Sequence, residues 1–273
     1  MGGLLRLVPA RVKLWLYMLL CREAPAEDGG TGNVWFMRFG IPLVLKRSDR
    51  IVSTEADALR FLNKTVPYLP IPTLVDSFHL EGVTYTLMSR LSGRNLLRLN
   101  EAKEPTVEEI RIIAEDILAI IEELWRIPQP PELAGQVMIS ASGHGLPHPV
   151  SMHETLGGPY SSTIDCYKTM VMDMSALPPG HFRPIVADAV AWVHWDLTMR
   201  NILIHNGRVS GIVDWEDAGW LPRHWLIHSL RSPRPGCQGV WARHWYFHHR
   251  FEAEIEEAYA ASCAKGVLTY PLC

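Results

Sequence analysis

The chain has 273 residues, enough to bury the core of one two-lobed domain or of two small ones. Hydrophobic residues make up 48% and charged residues 20%, with 26 basic against 29 acidic side chains. That balance excludes an intrinsically disordered, collagen-like or strongly cationic protein, and a net charge of −3 gives no electrostatic reason to expect a nucleic-acid partner.

Cys21, Cys166, Cys237, Cys263 and Cys273 are scattered and odd in number, with no CxxC pair. This argues against a disulfide framework or a zinc ribbon and for free thiols in a reducing, cytoplasmic setting. Leu4 to Leu20 is the most apolar stretch, but Arg6, Pro9, Arg11 and Lys13 interrupt it. No uncharged run there approaches the ~18–20 residues of a transmembrane helix. An ordinary amphipathic helix is the expectation, with a membrane-surface or mitochondrial role as the alternative.

Gly29, Gly30 and Gly32 lie in a loop that leads into Val34–Phe39, rich in strand formers, and Gly40 to Pro42 turns it into a second strand at Leu43–Lys46. Ser53 and Thr54 offer N-caps to a short helix over 55–62, which Pro67, Pro70 and Pro72 end. A second hairpin, residues 73–79 with 83–88, turns at Glu81-Gly82. The clearest helix runs from about Thr106 to Arg126. Thr106 and Glu109 stand at capping-box spacing, and Ile110, Ile113, Ile117, Ile121 and Leu124 form its apolar stripe, widened by Ile112 and Leu118. Strands dominate before Gly93 and helices after it, which predicts an α+β protein of two lobes, residues 1–92 and 93–273.

The chemistry lies in Val193-His194-Trp195-Asp196-Leu197-Thr198-Met199-Arg200-Asn201-Ile202-Leu203-Ile204, followed by Ile212-Val213-Asp214-Trp215-Glu216. Between these runs, Asn206-Gly207 predicts a two-residue hairpin turn. Centred there, the register pairs 205 with 208, 203 with 210 and 201 with 212. Alternation then puts Asn201 and Asp214 on one face at the open end. An amide oxygen beside a carboxylate, with positions left for water and phosphate oxygens, suits Mg²⁺ in phosphoryl transfer. Asp196 would reach the same place and accept or orient the proton of an attacking hydroxyl, with His194 bracing the loop. Singly, these residues are ordinary turn caps and strand ends. Together they reproduce the H-x-D-L-x-x-x-N pattern and terminal Asp of a kinase catalytic loop.

This run, His194 to Trp220, resembles the catalytic and metal-binding segment of the aminoglycoside phosphotransferase (choline kinase-like) family. Its Asp214-Trp215-Glu216-Asp217-Ala218-Gly219-Trp220 form is similar to fungal phosphotransferase enzyme family members. The resemblance covers the chain from about Gly32 onward. It implies a bilobal protein kinase-like fold with a small, mainly β N-terminal nucleotide-binding lobe and a larger, mainly helical C-terminal lobe for catalysis and acceptor binding. It also implies ATP and Mg²⁺ as cofactors, a small-molecule hydroxyl as acceptor, Lys46 as the phosphate-binding lysine and Glu55 as its ion-pair partner. Met88-Ser89-Arg90-Leu91 resembles the hinge that bonds adenine, with Met88 and Arg90 as cofactor-binding positions, and Gly157-Gly158-Pro159-Tyr160 resembles a landmark ahead of the catalytic loop.

Three features depart from the pattern or compete with it. Trp195 stands where family members usually carry glycine, and Trp35 where a kinase glycine loop has its third glycine. These favour the alternative of a degenerate, non-catalytic nucleotide-binding or interaction module. His224 with His228, and His244 with His248, sit four apart, but no glutamate completes an HExxH zinc motif, so packed or solvent-facing histidines are expected. The aromatic cluster Trp220, Trp225, Trp241, Trp245, Tyr246 and Phe247 reads as core packing, with an acceptor cage as the minority reading.

Overall fold

A computed structural model describes residues 7–25, 32–49, 54–147, 156–170, 177–231 and 238–263. Gly29, Gly30, Ser53, Cys237 and Cys273 lie outside the described residues. Along the chain the elements are α1 (Ala10–Leu20), β1 (Cys21–Glu23), β2 (Val34–Met37), β3 (Leu43–Ser48), α2 (Thr54–Thr65), β4 (Leu74–Leu80), β5 (Val83–Ser89), β6 (Arg94–Asn95) and α3 (Leu96–Ala102). There follow α4 (Val107–Trp125), β7 (Leu146–Pro147), β8 (Leu156–Gly157), α5 (Thr163–Lys168), α6 (Arg183–Ala187) and β9 (Val190–His194). The chain continues through β10 (Ile202–His205), β11 (Arg208–Ile212), β12 (Ala218–Pro222), α7 (His224–Arg231), α8 (Gly239–Arg243) and, after a π-helical turn at His244–His248, α9 (Ala253–Ser262).

Two compact units result. The first joins Met1–Lys103 to Arg200–Glu216, and the second joins Glu104–Met199 to Asp217–Cys273. A division read linearly at Gly93 misses this return of the hairpin, because composition reports the type of an element and not the place to which the chain comes back.

The first unit is built on an antiparallel five-stranded sheet in the order β1-β2-β3-β5-β4. Both expected N-terminal hairpins are present, and Glu81 and Gly82 take the positive φ values of a tight turn. Alternation along β3 sends Leu43 and Leu45 into a cluster with Tyr17, Met37 and Leu87, while Lys46 turns to the opposite face. There α2 buries Ala58, Leu59 and Leu62 and presents Glu55. Thr54 does not cap this helix with its hydroxyl, which donates instead to the Glu216 carbonyl at 2.5 Å.

α1 departs from the expected amphipathic helix in an instructive way. Its protein-facing side holds Lys13 and Tyr17, both bonded to the Asp76 carboxylate at 2.9 Å. Burial and the Asp76 bond together push the Tyr17 hydroxyl well above the ordinary tyrosine range. Val12, Trp15, Leu16, Met18, Leu19 and Leu20 are exposed.

Asn206 and Gly207 both adopt positive φ, as a type I′ turn requires. His205 pairs with Arg208 as expected, but a bulge follows. Leu203 then faces Gly211 rather than Ser210, and Ile202 rather than Asn201 faces Ile212. The hairpin is tied to its unit by β6, by the Asn95 side-chain amide donating to the Arg200 carbonyl, and by the Ile212 N–H donating to the Pro70 carbonyl at 2.9 Å. Asn95 also caps α3, accepting from the Leu97 and Arg98 N–H groups.

In the second unit α4 realises the capping box: the Glu109 N–H donates to Thr106 Oγ1 at 3.2 Å and the Thr106 N–H to Glu109 Oε2 at 2.7 Å. The expected stripe is buried, but its widening falls to Ala114 and Ile120, with Ile112 and Leu118 only half-buried. α4 packs on β9, which pairs with β12. Trp192, Trp220, Trp225, Trp241 and Trp245 fill the core, whereas Tyr246 and Phe247 are exposed. The π-helical turn accommodates the last of these aromatics.

Gly93 lets β6 approach the hairpin. Its φ is +119°, and a Cβ there would strike Ser210 Oγ and lie 2.9 Å from the Ile204 carbonyl oxygen. Gly93→Ala should therefore destabilise the protein by about 2 kcal/mol or more. Urea denaturation of the variant beside wild type measures this, and a change under about 0.5 kcal/mol would show that the close approach is not required.

Candidate active site

Lys46 is the centre of the first unit's polar constellation. Its position on β3 opposite Thr86 and Val34 makes its backbone part of the sheet, so only the side chain is left to move. The residue is only 8% exposed, and its ammonium lies 2.6 Å from Asp214 Oδ1, 3.1 Å from Glu55 Oε2 and 3.6 Å from Glu216 Oε1. The structure thus brings together Lys46, Glu55 and Asp214, three of the residues singled out in the sequence, and Glu216 beside them.

Each carboxylate is itself held. Glu55 Oε1 accepts the Trp215 N–H at 3.3 Å, Glu216 Oε2 accepts from the Ser48 hydroxyl at 3.2 Å, and the Glu216 carbonyl accepts from Thr54. The Trp215 indole donates to the Ile212 carbonyl at 2.8 Å, locking the turn between Asp214 and Glu216. Asp214 has a φ of +66°, a left-handed conformation that aspartate tolerates better than most residues. This turn follows the hairpin's open end and aims the carboxylate at Lys46.

Burial alone would lower the lysine's pKa, but the neighbouring Asp214, Glu55 and Glu216 carboxylates hold it well above its ordinary value. Glu55 is raised despite the lysine, because burial first, and then the Asp214 charge, oppose its ionisation. Three carboxylates against one ammonium leave negative charge in excess. Hard oxygen donors with an excess of negative charge are the donor chemistry of a divalent cation such as Mg²⁺. Among the described residues no set of three or more His, Cys, Asp or Glu forms a metal cage. The fit is therefore to an ion held by one or two protein groups and completed by other oxygens.

Asn201 is buried at the start of β10, and its carbonyl accepts the Val213 N–H at 2.9 Å, one residue before Asp214. The two residues stand on adjacent segments of one hairpin end. The alternation argument for their common face does not carry over, since the bulge adds a residue on β11 and Asp214 leaves the extended conformation. Met88 lies within β5, laddered to both Val44 and Leu74. Arg90 donates its N–H to the Pro42 carbonyl at 2.8 Å and stacks its guanidinium 3.7 Å from the Phe36 ring centroid.

His194 and Asp196 belong to the second unit. His194 is buried at the end of β9, opposite Ala218, and Asp196 is half-buried just beyond, its carbonyl accepting the Thr198 N–H at 2.9 Å. Trp195 between them turns into the unit's own core and meets Trp225 edge-on at 5.8 Å. The Trp225 indole donates to the Tyr167 hydroxyl at 3.1 Å, Tyr167 bonds His224 Nε2, and His224 Nδ1 bonds Asp188 at 2.7 Å. Asp188 also pairs with Arg223 at 3.0 Å. This buried relay beneath Trp195 was not legible in the sequence, where His224 stood out only for its spacing to His228. His228 bonds the Ser262 hydroxyl at 2.6 Å.

Replacing Lys46 by methionine removes the one cation from three clustered carboxylates and should cost about 3 kcal/mol or more near neutral pH. The Glu55 pKa is already raised in the folded state, and with the lysine gone the unrelieved repulsion raises it further, so stability is lost as pH rises through it and regained as pH falls. The deficit of Lys46→Met should therefore be smaller at about pH 5 than at about pH 7.5. Urea titrations at both pH values test this; a deficit independent of pH would show that the carboxylates are screened some other way.

The model of the phosphotransferase enzyme family matches residues 172–232, the stretch that carries His194, Asp196, Asn201 and Asp214. No curated protein matches the chain. Among solved structures, aminoglycoside phosphotransferase APH(4)-Ia is similar with a TM-score of 0.58 and 16% identity, over 87% of this chain and 82% of that one. A thermostable mutant of the same enzyme, in ternary complex with ADP and hygromycin B, has a TM-score of 0.59 at 16% identity over 92% and 88%. Aminoglycoside-3′-phosphotransferase of type VIII has a TM-score of 0.53 at 18% identity over 93% and 98%. The chain therefore has the α+β fold of these aminoglycoside phosphotransferases, and the resemblance of its 194–220 segment to the phosphotransferase enzyme family is borne out.

Proposed function

We propose that this protein transfers the γ-phosphoryl group of ATP, with Mg²⁺, to a hydroxyl of a small-molecule acceptor. The observation that carries the proposal is the buried Lys46 ammonium within reach of Glu55, Asp214 and Glu216. A lysine fixed at the end of a sheet by a helix-borne glutamate is positioned to neutralise phosphate charge, as the α/β-phosphates of a nucleotide require. Residues 1–92 serve as the nucleotide-binding lobe in this reading, and 93–273 supply catalysis and acceptor binding.

Asp214 and Asn201 would hold Mg²⁺, whose bound charge would offset that developing on the transferred phosphoryl group. Glu216, anchored by Ser48, supports the lysine and balances its charge from the outer side. Met88 and Arg90 form the hinge, with the Arg90 N–H held by the Pro42 carbonyl. Asp196 orients the acceptor hydroxyl and takes its proton, and His194 braces the loop. The burial of Trp195 in the aromatic core means that the bulky residue is absorbed by packing within its own unit. This supports catalysis over the degenerate alternative.

The acceptor is not argued to be a polycation. Glu252 and Glu254 face Arg223 at 3.3 and 3.9 Å, and Glu256 pairs with Arg231 at 2.6 Å, so the acidic run of the C-terminal segment is matched by the protein's own arginines.

Calorimetric titration with ATP, with and without Mg²⁺, tests the nucleotide site. Wild type should bind in a metal-dependent manner, and Asp214→Ala should lose the metal dependence. Asp196→Asn should bind nucleotide as wild type does, yet lose phosphoryl transfer by about 10²–10⁴-fold in an acceptor screen. Absence of nucleotide binding under both conditions would overturn the proposal in favour of a non-catalytic module.

A further inference from the structure

We propose that the outward side of α1, with the arginine-lined cavity at its C-terminal end, docks the protein on the surface of a bilayer that contains anionic phospholipid. This goes beyond phosphoryl transfer and does not depend on it.

The first observation is the inversion of α1. Successive residues of a helix are 100° apart, so Lys13 and Tyr17 mark one side and Val12, Trp15 and Leu19 the other. The polar side is the buried one: Lys13 and Tyr17 share the Asp76 carboxylate, and the Lys13 ammonium also lies 5.5 Å from the Phe78 ring. Turning the apolar side inward would strand Asp76 and Lys13 without each other. The ion pair thus fixes an orientation in which Trp15 is 61% and Leu19 56% exposed.

The second observation is the end of the helix. The Arg38 N–H donates to the Leu20 carbonyl at 2.7 Å and its Nε to the Cys21 carbonyl at 2.9 Å, which sets the β2–β3 turn against the helix terminus. Phe39, at the tip of that turn, is 85% exposed. Beside it opens a cavity of about 720 Å³ that Arg22, Arg38 and Arg90 line and to which no acidic residue contributes. From Leu7 to Arg22 the chain carries Arg11, Lys13 and Arg22 and no Asp or Glu, in a protein whose net charge is −3. Arg11 is engaged by Glu81 at 2.7 Å, so the positive field rests on the cavity's arginines.

An exposed apolar helical face with Trp and Phe, next to a pocket of arginines, matches the layering of a membrane surface. Apolar side chains and aromatic rings enter the acyl boundary while cations meet phosphate headgroups. A second copy of the chain suits the face less well. A twofold dimer with its two α1 helices parallel would bring the arginine-rich ends into a shared interface with no acidic residue of the cavity to offset them.

The test is flotation of the full chain with vesicles of phosphatidylcholine alone and with about one third phosphatidylserine. The protein should float with the anionic vesicles, stay behind with the neutral ones and be released at about 0.5 M salt. The double variant Trp15→Glu, Leu19→Glu should lower the bound fraction at least about tenfold. Arg22→Glu, which leaves the apolar face intact, should lower it about fivefold. These side chains are exposed, so thermal melts of the variants should match wild type. Equal binding to neutral vesicles would overturn the assignment of an anionic surface. Binding to neither would overturn docking altogether, as would a concentration-dependent dimer that the double variant dissociates and vesicles do not recruit.

Discussion

One buried ammonium organises the first unit. Lys46 is placed by strand alternation on the face opposite the Tyr17 cluster, and a lone lysine there would be costly to desolvate. Glu55 on α2 and Asp214 and Glu216 after β11 make it tolerable. The lysine thereby links the sheet and the helix that follows it to a hairpin that returns from 168 residues further along the chain. The surrounding bonds serve that convergence, from Thr54 on the Glu216 carbonyl to Asn95 on the Arg200 carbonyl. The convergence has a cost: burial first, and the Asp214 charge after it, raise the pKa of Glu55 despite the lysine. Local electrostatic frustration of this kind is expected where a site awaits a cation and phosphate rather than where a fold merely seeks stability.

Part of this was readable from residue types: the Asn-Gly turn and the H-x-D-L-x-x-x-N spacing are local signals, each set by backbone chemistry within a few residues. Thr106 and Glu109 behaved likewise, because a capping box involves only its own helix turn. Lys46 and Glu55 were marked only by the family resemblance, since a lysine on a strand is ordinarily a solvated side chain. The hairpin register was legible only as far as the bulge. Gly211 packs where a Cβ would meet the Leu91 side chain, a constraint imposed by the segment between β5 and β6, more than a hundred residues away. Asn95 went unnoticed for the same reason: its side chain caps one helix and holds another segment's carbonyl, and nothing near it in sequence signals the second task.

The first helix misled in a different manner. Its sequence carries enough apolar residues to suggest a face for the core, and burial of apolar surface is the usual winner. Here the buried charge on β4 decides. Asp76 lies on a strand under the helix and needs partners, and Lys13 and Tyr17 four residues apart supply both on one side. The hydrophobic residues are then left on the outside, an arrangement that stability alone does not favour and that a lipid surface would reverse in sign.

Trp195 shows how a departure from a motif is to be weighed. Read in isolation, an indole in place of glycine beside the proposed base suggests loss of function. Its surroundings give it a different meaning: Trp195 packs on Trp225, Trp225 is fixed by Tyr167, and Tyr167 ends a relay through His224 to the buried Asp188. Burial lowers the His224 pKa, so the Asp188 carboxylate is balanced chiefly by Arg223 rather than by a charged imidazole. Each polar atom in the chain of contacts has a partner, which is the condition under which a buried network rigidifies rather than weakens a core. Glycine in a catalytic loop permits a close approach of backbone, whereas a packed tryptophan holds the same segment by its side chain. Both fix the backbone ahead of Asp196, and a fixed backbone, not the identity of the neighbouring side chain, is what the proposed role of that carboxylate requires.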